Sequence, residues 1–137
     1  MLSDTLLASK VLFKHSLLLF TSKRLLLLST LTGKVELETN HTLNTPQAVV
    51  AGIFRISDHS FVIVTTFADN RHNLITQYAC GEICKSRICL ESWVDIPRPE
   101  TIQVNEVFHI CEVTENEIIL KVWFHSNVNK RIDKLPM

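Results

Sequence analysis

Apolar runs of strand length, rich in Leu and β-branched residues, follow one another along the chain and are separated by polar turn residues. Leu17–Thr21 is followed by the turn Ser22-Lys23-Arg24 and then by Leu25–Ser29. Thr32-Gly33 marks the next turn, and Val35-Glu36-Leu37-Glu38 alternates with the period of two that a strand requires. Leu is also a good helix former, so Leu2–Leu28 is open to a helical reading. Its Ser and Thr residues, its close-set turns and its lack of helix caps predict strands instead.

A second round of the same pattern begins with the long apolar run Ala48–Ile56. Ser57-Asp58-His59-Ser60 turns, Phe61–Phe67 is strongly β-branched, and Ala68-Asp69-Asn70-Arg71 turns again. Asn73–Tyr78 is predicted as a strand, Cys80-Gly81 as a turn, and Glu82–Leu90 as the continuation. A third round opens with the stiff Pro97-Arg98-Pro99. Thr101–Val104, Val107–Val113, Ile118–Phe124 and Val128–Ile132 are its predicted strands, with turns at Asn105-Glu106, Thr114–Glu117 and Ser126-Asn127.

The rounds align with one another. Gly33 and Gly81 occupy equivalent places, Lys23-Arg24 falls on Arg71-His72, and Leu26-Leu27 falls on Leu74-Ile75. In the third round Asn127 stands where the glycines stood, and Asn is the next-best residue for a left-handed turn. Four-strand units recurring at roughly 40–50 residues are the mark of propeller blades, small antiparallel sheets that stack on their neighbours. The expected architecture is all-β: one domain over residues 1–137, with blades at 1–45, 46–95 and 96–132 and a polar tail at 133–137.

In this respect the sequence resembles a WD-repeat β-propeller over residues 17–132. The matching features are the long apolar inner strand, the Asp-containing turn, and the Thr-Gly-Lys or Cys-Gly-Glu hairpin. The Gly-His and Trp-Asp dipeptides of that family are absent, and Trp123 is followed by Phe124. A narrower resemblance is to the non-catalytic WD-repeat subunit of the eukaryotic tRNA guanine-N7 methyltransferase, through the weak early blade, the blade spacing and Arg98-Pro99-Glu100-Thr101-Ile102. That resemblance implies a scaffold that stabilises and positions a methyltransferase partner, in the nucleus or cytoplasm, and binds no cofactor itself. Its docking surface for the catalytic subunit lies largely on later blades, so no functional residue is carried over. Three blades are too few to close a ring of roughly 4–8. The alternative fold is a small β-barrel whose apolar strands line a ligand cavity.

Composition narrows the picture. Hydrophobic residues make up 46% and charged residues 20% of the 137, enough to build a core. Lys plus Arg equals Asp plus Glu, 14 against 14, which argues against a dominant nucleic-acid footprint. Lys10, Lys14, Lys23 and Arg24 cut the Leu-rich beginning into pieces too short for a spanning helix, and they fit a secretory signal badly. An intracellular protein is therefore expected, with no membrane partner. In that setting the sequon Asn40-His41-Thr42 has no consequence, and the thiols are reduced.

No catalytic constellation is legible. Cys80, Cys84, Cys89 and Cys111 lack the paired spacing of a zinc knuckle, and Cys84 and Cys89, an odd number apart, are expected on opposite faces of one strand. His109 and Cys111 share a face, but small buried Cys is the commoner role. A nucleophile elbow, a phosphate loop and a His-Glu-x-x-His motif are all missing. The expectation is a non-enzyme with no catalytic, cofactor or metal residues. Lys23, Arg24, Lys85 and Arg87 are the candidates for contact with tRNA phosphates or a protein partner. Charges at turns and strand edges more often maintain solubility and block edge pairing. Lys130, Arg131 and Lys134 form a further basic cluster, and Trp93 and Trp123 are expected to pack in the core rather than anchor an interface.

Overall fold

A computed structural model describes residues 4–41, 48–69, 71, 73–96, 108–113, 117–123 and 129–136. Every regular element among them is a β-strand. The first sheet runs β1 (Leu6–Phe13), β2 (Ser16–Thr21), β3 (Arg24–Ser29) and β4 (Val35–Asn40) in sequence order. The second runs β5 (Ala48–Arg55), β6 (Ser60–Ala68), β7 (Leu74–Cys84) and β8 (Arg87–Leu90), with β9 (Val94–Ile96) also on β7. The third holds β10 (Phe108–Val113), β11 (Glu117–Trp123) and β12 (Asn129–Pro136). All pairs are antiparallel.

The second sheet is a four-row meander whose last row is broken. β8 pairs with Gly81–Cys84, whereas β9 pairs with Thr76–Tyr78 along the same strand. Between them the Glu91 amide still donates to the Cys80 carbonyl at 2.9 Å. Residues 91–93 thus form an irregularity in one long edge row, which twists it without abandoning β7.

The first two sheets share one core. Alternation turns Leu18, Phe20, Leu25 and Leu27 to one face of the first sheet, and Ile53, Phe61, Ile63 and Ile88 to the facing side of the second. Leu12 completes this cluster. Each of these side chains contributes about 1.5–3 kcal/mol by leaving water. The sheets meet first strand to first strand, β1 on β5, and fourth to fourth, β4 on β8. β5 also meets β10. The ends of β1 and β5 lie together: Arg55 Nε, at the end of β5, donates to the Leu12 carbonyl near the end of β1 at 2.7 Å.

Several expectations are corrected. Cys80-Gly81 is not a turn: both residues lie inside β7, and the hairpin turns at Lys85-Ser86. Gly81 sits directly opposite Phe61, whose ring covers it, and a Cβ there would lie within the ring's van der Waals envelope. Gly33 does turn, at a φ of 73° that favours glycine. The two glycines are therefore not equivalent. Residues 133–136 are not a tail, because β12 runs through Pro136. The β-barrel alternative fails, since the described strands divide into three separate sheets. Thr101–Val104 and Asn127 lie outside the described residues.

Replacing Gly81 with Ala is expected to push Phe61 out of its rotamer and cost about 1–3 kcal/mol, the usual range for overpacking. Urea unfolding of Gly81→Ala beside wild type measures it, and an unchanged midpoint would remove the ring-over-glycine contact from the account.

Candidate functional site

Sheet register defines the most unusual surface. On the face of the first sheet turned away from the core, Val11 pairs with Leu17, Leu17 with Leu28, and Leu28 with Val35, so an apolar row crosses all four strands. Leu19 and Leu26 pair beside it. Val11 is 52% and Val35 51% exposed, and the four leucines are half-buried. The contrast with the second sheet is sharp. Phe61 through Thr66 on β6 are buried without interruption, so that strand is covered on both sides. The first sheet has the same two-faced apolar composition, but among the described residues it is covered on one side only. An exposed apolar patch of this kind commonly marks a contact surface.

The sequence carried a signal for this face. Leu17–Leu19 and Leu25–Leu28 are continuous apolar runs, and a continuous run, unlike an alternating one, is written for burial on both faces.

The basic candidates divide between the two ends of the fold. Lys23 and Arg24 belong to the β2–β3 turn, and Lys85 and Arg87 to the β7–β8 hairpin. Near the latter end lie the β1–β2 and β5–β6 turns, because the Ile83 amide donates to the His59 carbonyl at 2.7 Å and the Phe13 and His59 rings are 6.5 Å apart. The β2–β3 turn opens at the opposite end of β2. The four residues therefore make no single basic patch.

Arg24 is also neutralised. Its Nε donates to Asp4 at 2.8 Å and its Nη1 to Glu38 at 3.1 Å. Asp4 further accepts from the Ser22 hydroxyl and the Lys23 amide, both at 3.1 Å, so one carboxylate straps the start of the chain to the β2–β3 turn. Burial pushes the Asp4 pKa up, but hydrogen bonds from Thr21, Arg24, Ser22 and the Lys23 amide outweigh it and bring it from 3.8 down to about 2. Beside this strap, the His41 Nε2–H donates to the Thr21 carbonyl at 2.7 Å, and its ring packs on Phe20 and Trp93. Trp93 lies 6.0 Å from Phe20, so it packs between the sheets, as expected for a core aromatic.

The remaining feature is a cleft of about 330 Å³ lined by Ile56, Val62, Cys80, Glu82, Cys89 and Glu91 among others. Burial, then the nearby Glu91 charge, pushes the Cys80 thiol up. Cys84 is also pushed up, first by its hydrogen bond with Cys89 and then by burial. Both shifts run opposite to what an activated nucleophile needs. Cys84 and Cys89 do not lie on opposite faces. The Lys85-Ser86 hairpin reverses the chain between them and sets their sulfurs 3.1 Å apart. Among the described residues no group of three or more His, Cys, Asp or Glu side chains is placed to hold a metal ion, and no helix is long and apolar enough to cross a membrane. The side chains of His109, Cys111, Trp123, Lys130, Arg131 and Lys134 lie outside the described residues. No protein-family model matches the chain, and no curated protein does.

Replacing Asp4 with Ala is expected to cost about 1 kcal/mol near neutral pH, the usual net worth of a hydrogen-bonded group. Because its folded pKa is depressed, Asp4's contribution is complete above pH 4 and is lost as pH falls from about 4 towards about 2. Chemical denaturation across that window should show a shallower acid loss for Asp4→Ala than for wild type, and parallel curves would exclude the strap.

Proposed function

We propose that this chain is a non-catalytic, protein-binding scaffold of the WD-repeat β-propeller type, and that its antiparallel sheets are blades. Three features support the blade reading: each sheet is a meander in chain order, first strands meet first strands, and fourth strands meet fourth strands. The observation that carries the binding role is the uncovered row Val11–Leu17–Leu28–Val35 with Leu19 and Leu26 beside it. A blade needs both faces covered, and a protein surface of matching apolar character would supply the missing cover.

The narrower reading is an accessory subunit of a tRNA guanine-N7 methyltransferase complex, acting in tRNA modification in the nucleus or cytoplasm. It rests on the sequence resemblance alone. In that reading the partner is a methyltransferase catalytic subunit, the chain itself holds no cofactor, and tRNA is reached through the complex. The separation of Lys23 and Arg24 from Lys85 and Arg87, and the carboxylates on Arg24, favour a protein over an RNA as the direct partner.

Affinity purification from cells tests both readings. Tagged wild type should recover a methyltransferase catalytic subunit. Leu26→Lys should lose it by at least tenfold, about 1.4 kcal/mol, while its thermal unfolding stays close to wild type. A partner retained in full by Leu26→Lys would exclude the leucine face, and recovery of partners that include no methyltransferase would exclude only the narrower reading.

A further inference from the structure

Cys84 is the last residue of β7 and Cys89 lies within β8, on the two arms of the tight hairpin that turns at Lys85-Ser86. Register pairs Cys84 with Arg87 and Glu82 with Cys89, which puts the two cysteines diagonally across one face of the sheet. Their sulfurs are 3.1 Å apart and hydrogen-bonded. A disulfide needs about 2.05 Å, so the sulfurs stand roughly 1 Å outside bonding distance. Both residues are partly exposed, and Cys89 lines the 330 Å³ cleft, so a small reagent has access.

We propose that Cys84 and Cys89 are a redox-reversible pair that closes into a disulfide across the β7–β8 hairpin by exchange with a small-molecule disulfide of the glutathione type. The Cys89 thiolate attacks one sulfur of the small disulfide, forming a mixed disulfide and releasing one small thiolate. The Cys84 thiolate then attacks the Cys89 sulfur, forming the internal bond and releasing the second. The protein pair is oxidised by two electrons and the small disulfide is reduced by two. The two protons from the protein thiols end on the two released small thiols.

The loop closed is short, so the entropic gain is small and the bond is readily reduced. Its mechanical effect is local and specific. β8 carries Ile88 into the shared core and lies against β4, so the disulfide fastens to β7 one of the edge strands along which the two sheets meet. The pair is open under reducing conditions and closes when small disulfides accumulate.

Trypsin provides the readout, since cleavage after Lys85 and Arg87 leaves Cys84 and Cys89 on different peptides. The folded protein is incubated with oxidised glutathione, quenched with an alkylating agent and digested without reductant. Wild type and Cys80→Ser should both yield the two peptides joined, with the loss of two hydrogens, and dithiothreitol should separate them. Cys84→Ser and Cys89→Ser should instead carry a glutathione adduct on the remaining cysteine of the pair. The proposal is overturned if wild type shows adducts without the link, if neither thiol reacts, or if the link disappears in Cys80→Ser.

Discussion

The seam in which Leu18, Phe20, Leu25 and Leu27 meet Ile53, Phe61, Ile63 and Ile88 determines most of what the rest of the molecule can be. A lone four-stranded sheet exposes two faces, and an apolar face must be buried against another element. Here two such sheets turn one face each toward the other. The alternation of β2 and β3 decides which leucines enter the seam, and the register from β5 to β8 decides which isoleucines receive them. Phe61 reaches the seam by lying over Gly81, so a missing side chain on β7 is part of the same packing. The polar strap from Asp4 and the aromatic contacts of His41 and Trp93 close the seam along its border.

The same seam explains the uncovered face. Because strand side chains alternate, committing Leu18 and Leu27 to the core commits Leu17, Leu19, Leu26 and Leu28 to the other side. Polar residues there would have made the first sheet an end cap. Leucines leave that face apolar, with the flanking Val11 and Val35 exposed.

Much of this was legible in the residues, and where it was not the cause is local. Ser22-Lys23-Arg24, Thr32-Gly33 and Ser57–Ser60 announced their turns, so β2 through β6 fall close to the expected runs. β1 had no such punctuation. Its hairpin turns at Lys14-His15, with Lys14 held at a φ of 36°, and neither residue is a customary turn former. Gly81 misled for the converse reason: a strand glycine beneath an aromatic ring carries the same letter as a turn glycine. That misplaced turn also hid the cysteine pair. Parity along a single strand separates Cys84 from Cys89, whereas the hairpin at Lys85-Ser86 returns them to one face. The scatter of the basic residues required the fold itself, since only strand direction reveals that Lys23 and Lys85 belong to opposite ends.

The claim on which everything else stands is that the first two sheets are one cooperative unit through a shared core. Native-state hydrogen exchange on wild type and Phe20→Ala tests it most directly. The truncation lies on β2, and the account predicts that it lowers the protection of amides on β6 as much as those on β3. Loss of protection confined to β2 and β3, with β6 unchanged, would contradict it.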